Sequence, residues 1–151
     1  MPMNAIELLT KDHDKVRDLL KQLVNTTERA EKKRTELIAK LEKEVKVHTQ
    51  IEEEIFYPAF KESNGKDNDK MYYEACEEHR AVEDLVLPDL KKANPGGTEF
   101  SGRAKVLKEL LEHHADEEEE EMFAQARKTL SESQLNELGD KMAARKKELT
   151  S

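Results

Sequence analysis

The chain is poor in the residues that lock small or extended folds. One cysteine, Cys76, allows no internal disulfide. Tryptophan is absent and aromatic residues make up only 5% of the chain. Runs of β-branched or aromatic residues with a period of two are also missing, so strand signals are lacking and the expected fold class is all-α. No apolar run is long enough to cross a membrane, and no stretch resembles a signal peptide, so a cytoplasmic protein is expected. Basic residues do not dominate either. With 26 Lys and Arg against 34 Asp and Glu the net charge is -8, which disfavours nucleic acid and anionic membranes as partners. The mean hydropathy is -0.92 and 40% of residues are charged. The few apolar residues must therefore sit on one stripe of each element, as helices allow. The 151 residues suit one domain over 1–151 with a single core.

Only five glycines and four prolines punctuate the sequence, and the clearest breaks are SNGKDND at 63–69 and NPGG at 94–97. The segments between them predict long helices. The first runs from about Asn4 to Val24. The second follows NTT, with Asn25 and Glu28 as a capping box, and extends to about Ser63. A third spans about 67–93 and a fourth about 98–129. Ser131 with Gln134 caps a short fifth over 131–149. Pro58 and Pro88 fall inside the second and third helices, where each should kink or end its helix.

The buried stripes carry unexpected polar residues. In the first helix Ile6, Leu9, His13, Val16, Leu20 and Leu23 alternate by three and four. The second continues the pattern with Leu41, Val45, His48, Glu52 and Ile55; the third with His79, Glu83, Val86 and Leu90; the fourth with Leu107, Leu111, His114, Glu118 and Met122. Every long helix thus turns one histidine inward. A residue four positions further on lies about 6 Å along the axis on nearly the same side, so each His-x-x-x-Glu pair aims both side chains at one centre. A single histidine on an apolar stripe is usually a satisfied core residue. Four in register, three of them followed by glutamate, reverse that reading, because buried carboxylates without a cation cost several kcal/mol. His13, His48, Glu52, His79, Glu83, His114 and Glu118 are therefore expected to converge on a pair of metal ions, with iron favoured. No catalytic residue beyond these ligands is singled out.

An internal repeat strengthens the pattern: His13 to His48 and His79 to His114 both span 35 positions. HDKVRDLL at 13–20 aligns with HRAVEDLV at 79–86, and HTQIEEEIFY at 48–57 with HADEEEEEMF at 114–123. The register selects His114 over its neighbour His113. It also exposes an asymmetry, since Arg17 stands where Glu83 follows His79. One ion would take His79, Glu83 and His114. The other would have only His13 and His48, with Glu52 and Glu118 bridging both and room left for an exogenous ligand.

These residues resemble the hemerythrin family, specifically its bacterial HHE cation-binding members, over about residues 5–126. HTQIEEEIFYP at 48–58, EHHADEEEEEMF at 112–123, DH at 12–13 and EH at 78–79 carry the resemblance. It implies an up-and-down four-helix bundle around two iron ions with an oxo or hydroxo bridge. It implies His13, His48, Glu52, His79, His114 and Glu118 as ligands. Respiratory members carry a histidine where this chain has Glu83. They also place the last carboxylate five residues after its histidine. The added carboxylate stabilises the ferric state and speaks against reversible oxygen carriage. The expected function is binding or sensing of dioxygen, peroxide or nitric oxide. Peroxide decomposition, nitric oxide reduction or iron storage at the same site is the alternative. A sensor or redox role would need a separate signalling or electron-transfer partner, and the fifth helix would be a cover or a weak oligomer contact.

Three blander expectations complete the reading. The run Glu117–Glu121 is a solvated face apart from Glu118. Cys76 is a small buried residue, and Tyr57, Tyr72 and Tyr73 are packing aromatics, although a tyrosine near the ions would offer a hydrogen bond or a phenolate. Ferritin-like di-iron bundles, which use Glu-x-x-His, fail on spacing, because Val45, Cys76 and Leu111 occupy the positions three before the histidines.

Overall fold

The computed structural model describes residues 2–151, and among these there is no strand. α1 spans Ala5–Val24. α2 runs Glu31–Ile51, passes through a π-helical turn at Glu52–Phe56 and continues over Tyr57–Glu62. α3 has the same plan: Asn68–Ala81, a π turn at Val82–Val86, then Leu87–Lys92. In α4, Thr98–Glu117 is followed by a π turn at Glu118–Met122 and by Phe123–Thr129. α5 covers Glu132–Thr150.

The first four helices form an up-and-down bundle whose alternation is visible in its core. One apolar cluster joins the start of α1 (Ala5 to Leu9), the end of α2 (Ile51 to Phe60), Ala75 of α3 and the end of α4 (Met122 to Ala126). The second joins the end of α1 (Val16 to Leu23), the start of α2 (Leu37 to Val45), the end of α3 (Val82 to Leu90) and the start of α4 (Phe100 to Leu107). His13, His48, His79 and His114 belong to neither cluster and lie in sequence between the two parts of each helix, so a polar layer divides the core. α5 adds Leu135, Leu138 and Met142 to the first cluster.

The helix ends follow local chemistry. Asn4 and Glu7 form a capping box on α1, and Ser131 and Gln134 form the expected one on α5. The expected box at Asn25 and Glu28 does not form. Asn25 instead ends α1, its N–H donating to the carbonyls of Lys21 and Leu23, and α2 begins six residues later. Arg34, fully buried, explains the delay: its guanidinium donates to the Thr26 hydroxyl and carbonyl, the Pro95 carbonyl and the Ser101 hydroxyl, fastening both loops at that end. Buried cations need such a full set of acceptors.

Pro58 and Pro88 do not end their helices. Each stands just past a π turn, where Tyr57 N–H reaches the Glu52 carbonyl and Leu87 N–H the Val82 carbonyl, five residues back. The wider turn absorbs the missing proline N–H, and the helix resumes.

Candidate metal centre

The polar layer brings together six of the seven expected residues. Nitrogen and oxygen atoms of His13, His48, Glu52 and Glu118 lie within 4.8 Å of one another, as do those of Glu52, His79, His114 and Glu118. Glu52 and Glu118, common to both groups, sit between the two halves, 0% and 3% exposed. His13 Nε2 is 2.9 Å from one Glu118 oxygen and His114 Nε2 is 3.2 Å from the other. Glu52 Oε1 is 3.2 Å from His48 Nε2 and 3.1 Å from His79 Nε2.

All four imidazoles present Nε2 inward, and three of them hydrogen-bond through Nδ1 to a carboxylate. Asp12 accepts from His48 at 3.0 Å, Glu78 from His114 at 2.7 Å, and Glu119 from His13 at 2.7 Å; Glu53 lies 3.5 Å from His79 Nδ1. Such carboxylates fix the tautomer that leaves Nε2 free to bind a cation and make the ring a stronger donor. Glu119 was expected on the solvated face. The four helical acids after Glu117 are spread round the helix, and this one falls against α1.

The arrangement has an approximate twofold symmetry with an offset of 66 residues, which carries Asp12-His13 onto Glu78-His79, His48 onto His114, and Glu52-Glu53 onto Glu118-Glu119. Ring geometry follows it: His13 and His48 centroids are 4.9 Å apart at 60°, and His79 and His114 are 4.8 Å apart at 61°. Tyr57 stacks on His79 at 5.3 Å, and its counterpart Phe123 stacks on His13 at 5.8 Å. Here the halves part chemically. The Tyr57 hydroxyl donates to Glu118 and to Glu52, the latter at 3.2 Å, and lies 3.2 Å from His79 Nε2 and 3.5 Å from His114 Nε2. It is a seventh polar group of the centre: packing was its first expected role, and the hydrogen bond near the ions, the alternative, is what forms. It comes five residues after Glu52, a position that a regular α-helix turns about 140° away and that a π turn brings back in line.

Glu83 is the expected residue that the structure keeps apart. It belongs to neither group, and its carboxylate accepts the Thr49 hydroxyl. The reason is helix direction. α3 runs opposite to α2 and α4, so a residue one turn after His79 moves toward the Val82 end of the core, while Glu52 and Glu118 move toward the Phe56 end. His113 is 67% exposed, consistent with its exclusion.

Charge is balanced by protons when no cation is present. Burial opposes the His48 imidazolium, but Glu52 and Asp12 outweigh it and push its pKa up to about 10. His13, His79 and His114 are likewise raised against burial by their glutamate partners. Glu118 is held well below the usual carboxylate range, because His114 and His13 overcome the burial that would raise it. Burial and the carboxylates of Glu118 and Glu52 drive the Tyr57 phenol well above its ordinary value. Even so, His48 Nε2 and Glu52 Oε2 on the inner side of the layer, and His79 Nδ1 on its outer side, find no hydrogen-bond partner. Buried donors and acceptors are rarely left so, and a shared cation would satisfy the two inner ones.

Two small cavities approach this layer. One of about 30 Å³ touches all four histidines and is otherwise lined mainly by Val16, Leu20, Val45, Val82 and Leu111, with Arg17, Thr49 and Glu78 also on its wall. The other, about 20 Å³, lies between α3 and α4 and is rich in carboxylates.

Comparison with known proteins gives the arrangement its place. The sequence profile of the hemerythrin HHE cation binding domain matches residues 4–126. The chain belongs to this family. The hemerythrin-like fold is shared with a crystal structure of a hemerythrin HHE cation binding domain-containing protein from Mycobacterium kansasii, at a TM-score of 0.84 and 30% identity over 97% of this chain and 87% of the other. An uncharacterised protein of Mycobacterium tuberculosis is 30% identical over 150 residues, 97% of this chain and 88% of that protein. A protein of Nostoc sp. named DNA nickase is 28% identical over 148 residues. The hemerythrin-like chain spans 40% of that relative's length. No described helix is long and apolar enough to cross a membrane.

Proposed function

We propose that the protein holds two iron ions in the divided polar layer and binds a small oxidant, dioxygen, peroxide or nitric oxide, beside them. His13 and His48 would hold one ion and His79, His114 and the Tyr57 oxygen the other, with Glu52 and Glu118 shared. Mixed imidazole and oxygen donors suit iron, and a closed four-ligand structural zinc site would use fewer groups. The bound metals would supply electron transfer and Lewis acidity; the chain supplies the rest. Asp12, Glu78 and Glu119 orient the imidazoles of His48, His114 and His13, the Phe56–Phe123 aromatic pair closes one end against water, and in the metal-free centre the Tyr57 hydroxyl directs its proton at Glu118.

The observation that carries the oxidant reading is the apolar cavity. At about 30 Å³ it admits one or two molecules of water size, so an organic substrate does not fit. It touches all four histidines, and beside His13 and His48, the half with fewer protein donors, an exogenous ligand would find room. Exposing the iron-loaded protein to dioxygen, nitric oxide and hydrogen peroxide should shift its ultraviolet-visible spectrum for at least one. Filling the cavity by Val82→Phe should abolish the shift while iron is retained. An identical spectrum with and without each ligand overturns the reading.

A buried phenol beside the ions favours turnover as the second reading, peroxide decomposition in particular. Oxygen release from hydrogen peroxide above the rate of free iron supports it, and none refutes it. The net charge of -8 leaves nucleic acid outside the proposed partners, and the nickase activity is assigned only to the longer relative. We place the protein in the cytoplasm as a single domain over 1–151.

A further inference from the structure

The twofold symmetry of the centre is broken by the charges behind it. In the His13/His48 half, each outer carboxylate pairs with a cation: Glu119 with Arg17 at 2.7 Å, which also holds the exposed Asp14 and Asp116, and Asp12 with Lys146 of α5. In the His79/His114 half, neither Glu53 nor Glu78 pairs with a lysine or arginine among the described residues. Glu78 faces only His114 and, at 3.7 Å, His113.

The second cavity opens on that same half. Its wall descends from exposed Glu74 and Glu121, through half-buried Glu78 and Glu117, to buried His114 and Glu118. No lysine or arginine lines it; Lys70 reaches Glu74 at 3.8 Å, with its own side chain 76% exposed. The apolar cavity touches all four histidines, and its wall is mainly aliphatic with one cation, Arg17, and one carboxylate, Glu78. A cation therefore meets different conditions at the two approaches. Carboxylates of one sign in a low-dielectric cleft concentrate cations and speed their arrival by ten-fold or more, whereas fixed positive charge near a site opposes a divalent ion.

Resting on the reading of the polar layer as a two-cation centre, we infer that the centre loads in order. The first divalent cation passes down the acidic seam between α3 and α4 into the His79/His114 half. The second enters the His13/His48 half, whose affinity is held lower by Arg17 and Lys146. The two chemically different cavities thus divide the traffic, cations through one and a small neutral ligand through the other.

Titrating metal-free protein with Zn2+, a diamagnetic divalent ion that perturbs mainly the rings it binds, while following the histidine ring signals by NMR tests the order. The first equivalent should shift His79 and His114, and the second His13 and His48. Simultaneous shifts, or the reverse order, overturn the inference while leaving the metal centre standing; no shift in any of the four overturns the metal centre itself. The route and its cause have separate readouts on residues outside the centre. Glu74→Gln with Glu121→Gln should slow zinc uptake on the order of ten-fold with the final stoichiometry of two unchanged, and an unchanged rate refutes the seam. Lys146→Gln should bring the second dissociation constant closer to the first, and an unchanged ratio refutes the electrostatic cause.

Discussion

Replacing Tyr57 by phenylalanine would remove one oxygen from the centre and leave the ring that stacks on His79, reproducing the chemistry that Phe123 already has on the other side. The variant should fold and retain iron, but a phenolate-to-ferric absorption band present in the parent should vanish; indistinguishable visible spectra would remove Tyr57 from the ligands. The residue illustrates what the sequence conceals. His13, His48, His79, His114, Glu52 and Glu118 were legible because they keep helical spacing and the 35-residue repeat. Tyr57 falls in the repeat opposite the apolar Phe123 and lacks the helical spacing, since its alignment with Glu52 needs a π turn that no residue pattern announces. Glu83 had the right spacing and the wrong direction. The outer carboxylates were hidden for another reason: Asp12 and Glu78 stood out only as members of the DH and EH pairs, without a role, and Glu53 and Glu119 merely adjoin an expected ligand, which in a chain with 34 acidic residues distinguishes neither.

At the scale of elements, the π turns and the fifth helix need most explanation. Two π turns precede a proline, but the third, Glu118–Met122, does not. All three begin at or three residues after an inward-facing group, so proline is one cause of the wider turn and burial of a carboxylate in the core coincides with it elsewhere. Proline inside a helical pattern predicted a break; the adjoining turn, which widens by one residue, made the break unnecessary. α5 reaches the bundle through a close approach that only glycine permits. A Cβ on Gly139 would lie 2.3 Å from the Met3 carbonyl oxygen and 2.8 Å from the Ala5 nitrogen, both backbone atoms that cannot swing aside. Gly139→Ala should therefore lower the stability measured by urea unfolding by about 1–3 kcal/mol, as overpacking does, although alanine is the better helix former. A variant as stable as the parent would mean that α5 does not dock where it is placed. Lys146 rides on this docking, so α5 is also the element that sets the charge behind Asp12.

The whole molecule is a bundle whose core is interrupted by a layer that must be neutralised by protons or by cations. The sign of its pH dependence follows. In metal-free protein the histidines have raised values, that of His48 to about 10, so the stability they contribute is complete below their unfolded value of about 6.5 and is lost as the pH climbs toward 10. Glu118, held low, contributes stability that is present above its ordinary value and is lost in acid. The melting temperature of metal-free protein should thus be highest near pH 5–6.5 and fall toward pH 10. Loaded protein, in which protons compete with metal, should instead lose stability as the pH drops below 6. Parallel profiles for the two forms would show that the histidines do not exchange protons for metal. The most direct measurement is the iron content of the loaded protein after desalting, set beside that of Glu118→Ala. Two irons per chain are predicted, falling to one or fewer in the variant that lacks the shared carboxylate; less than one iron per chain in the parent would contradict the account.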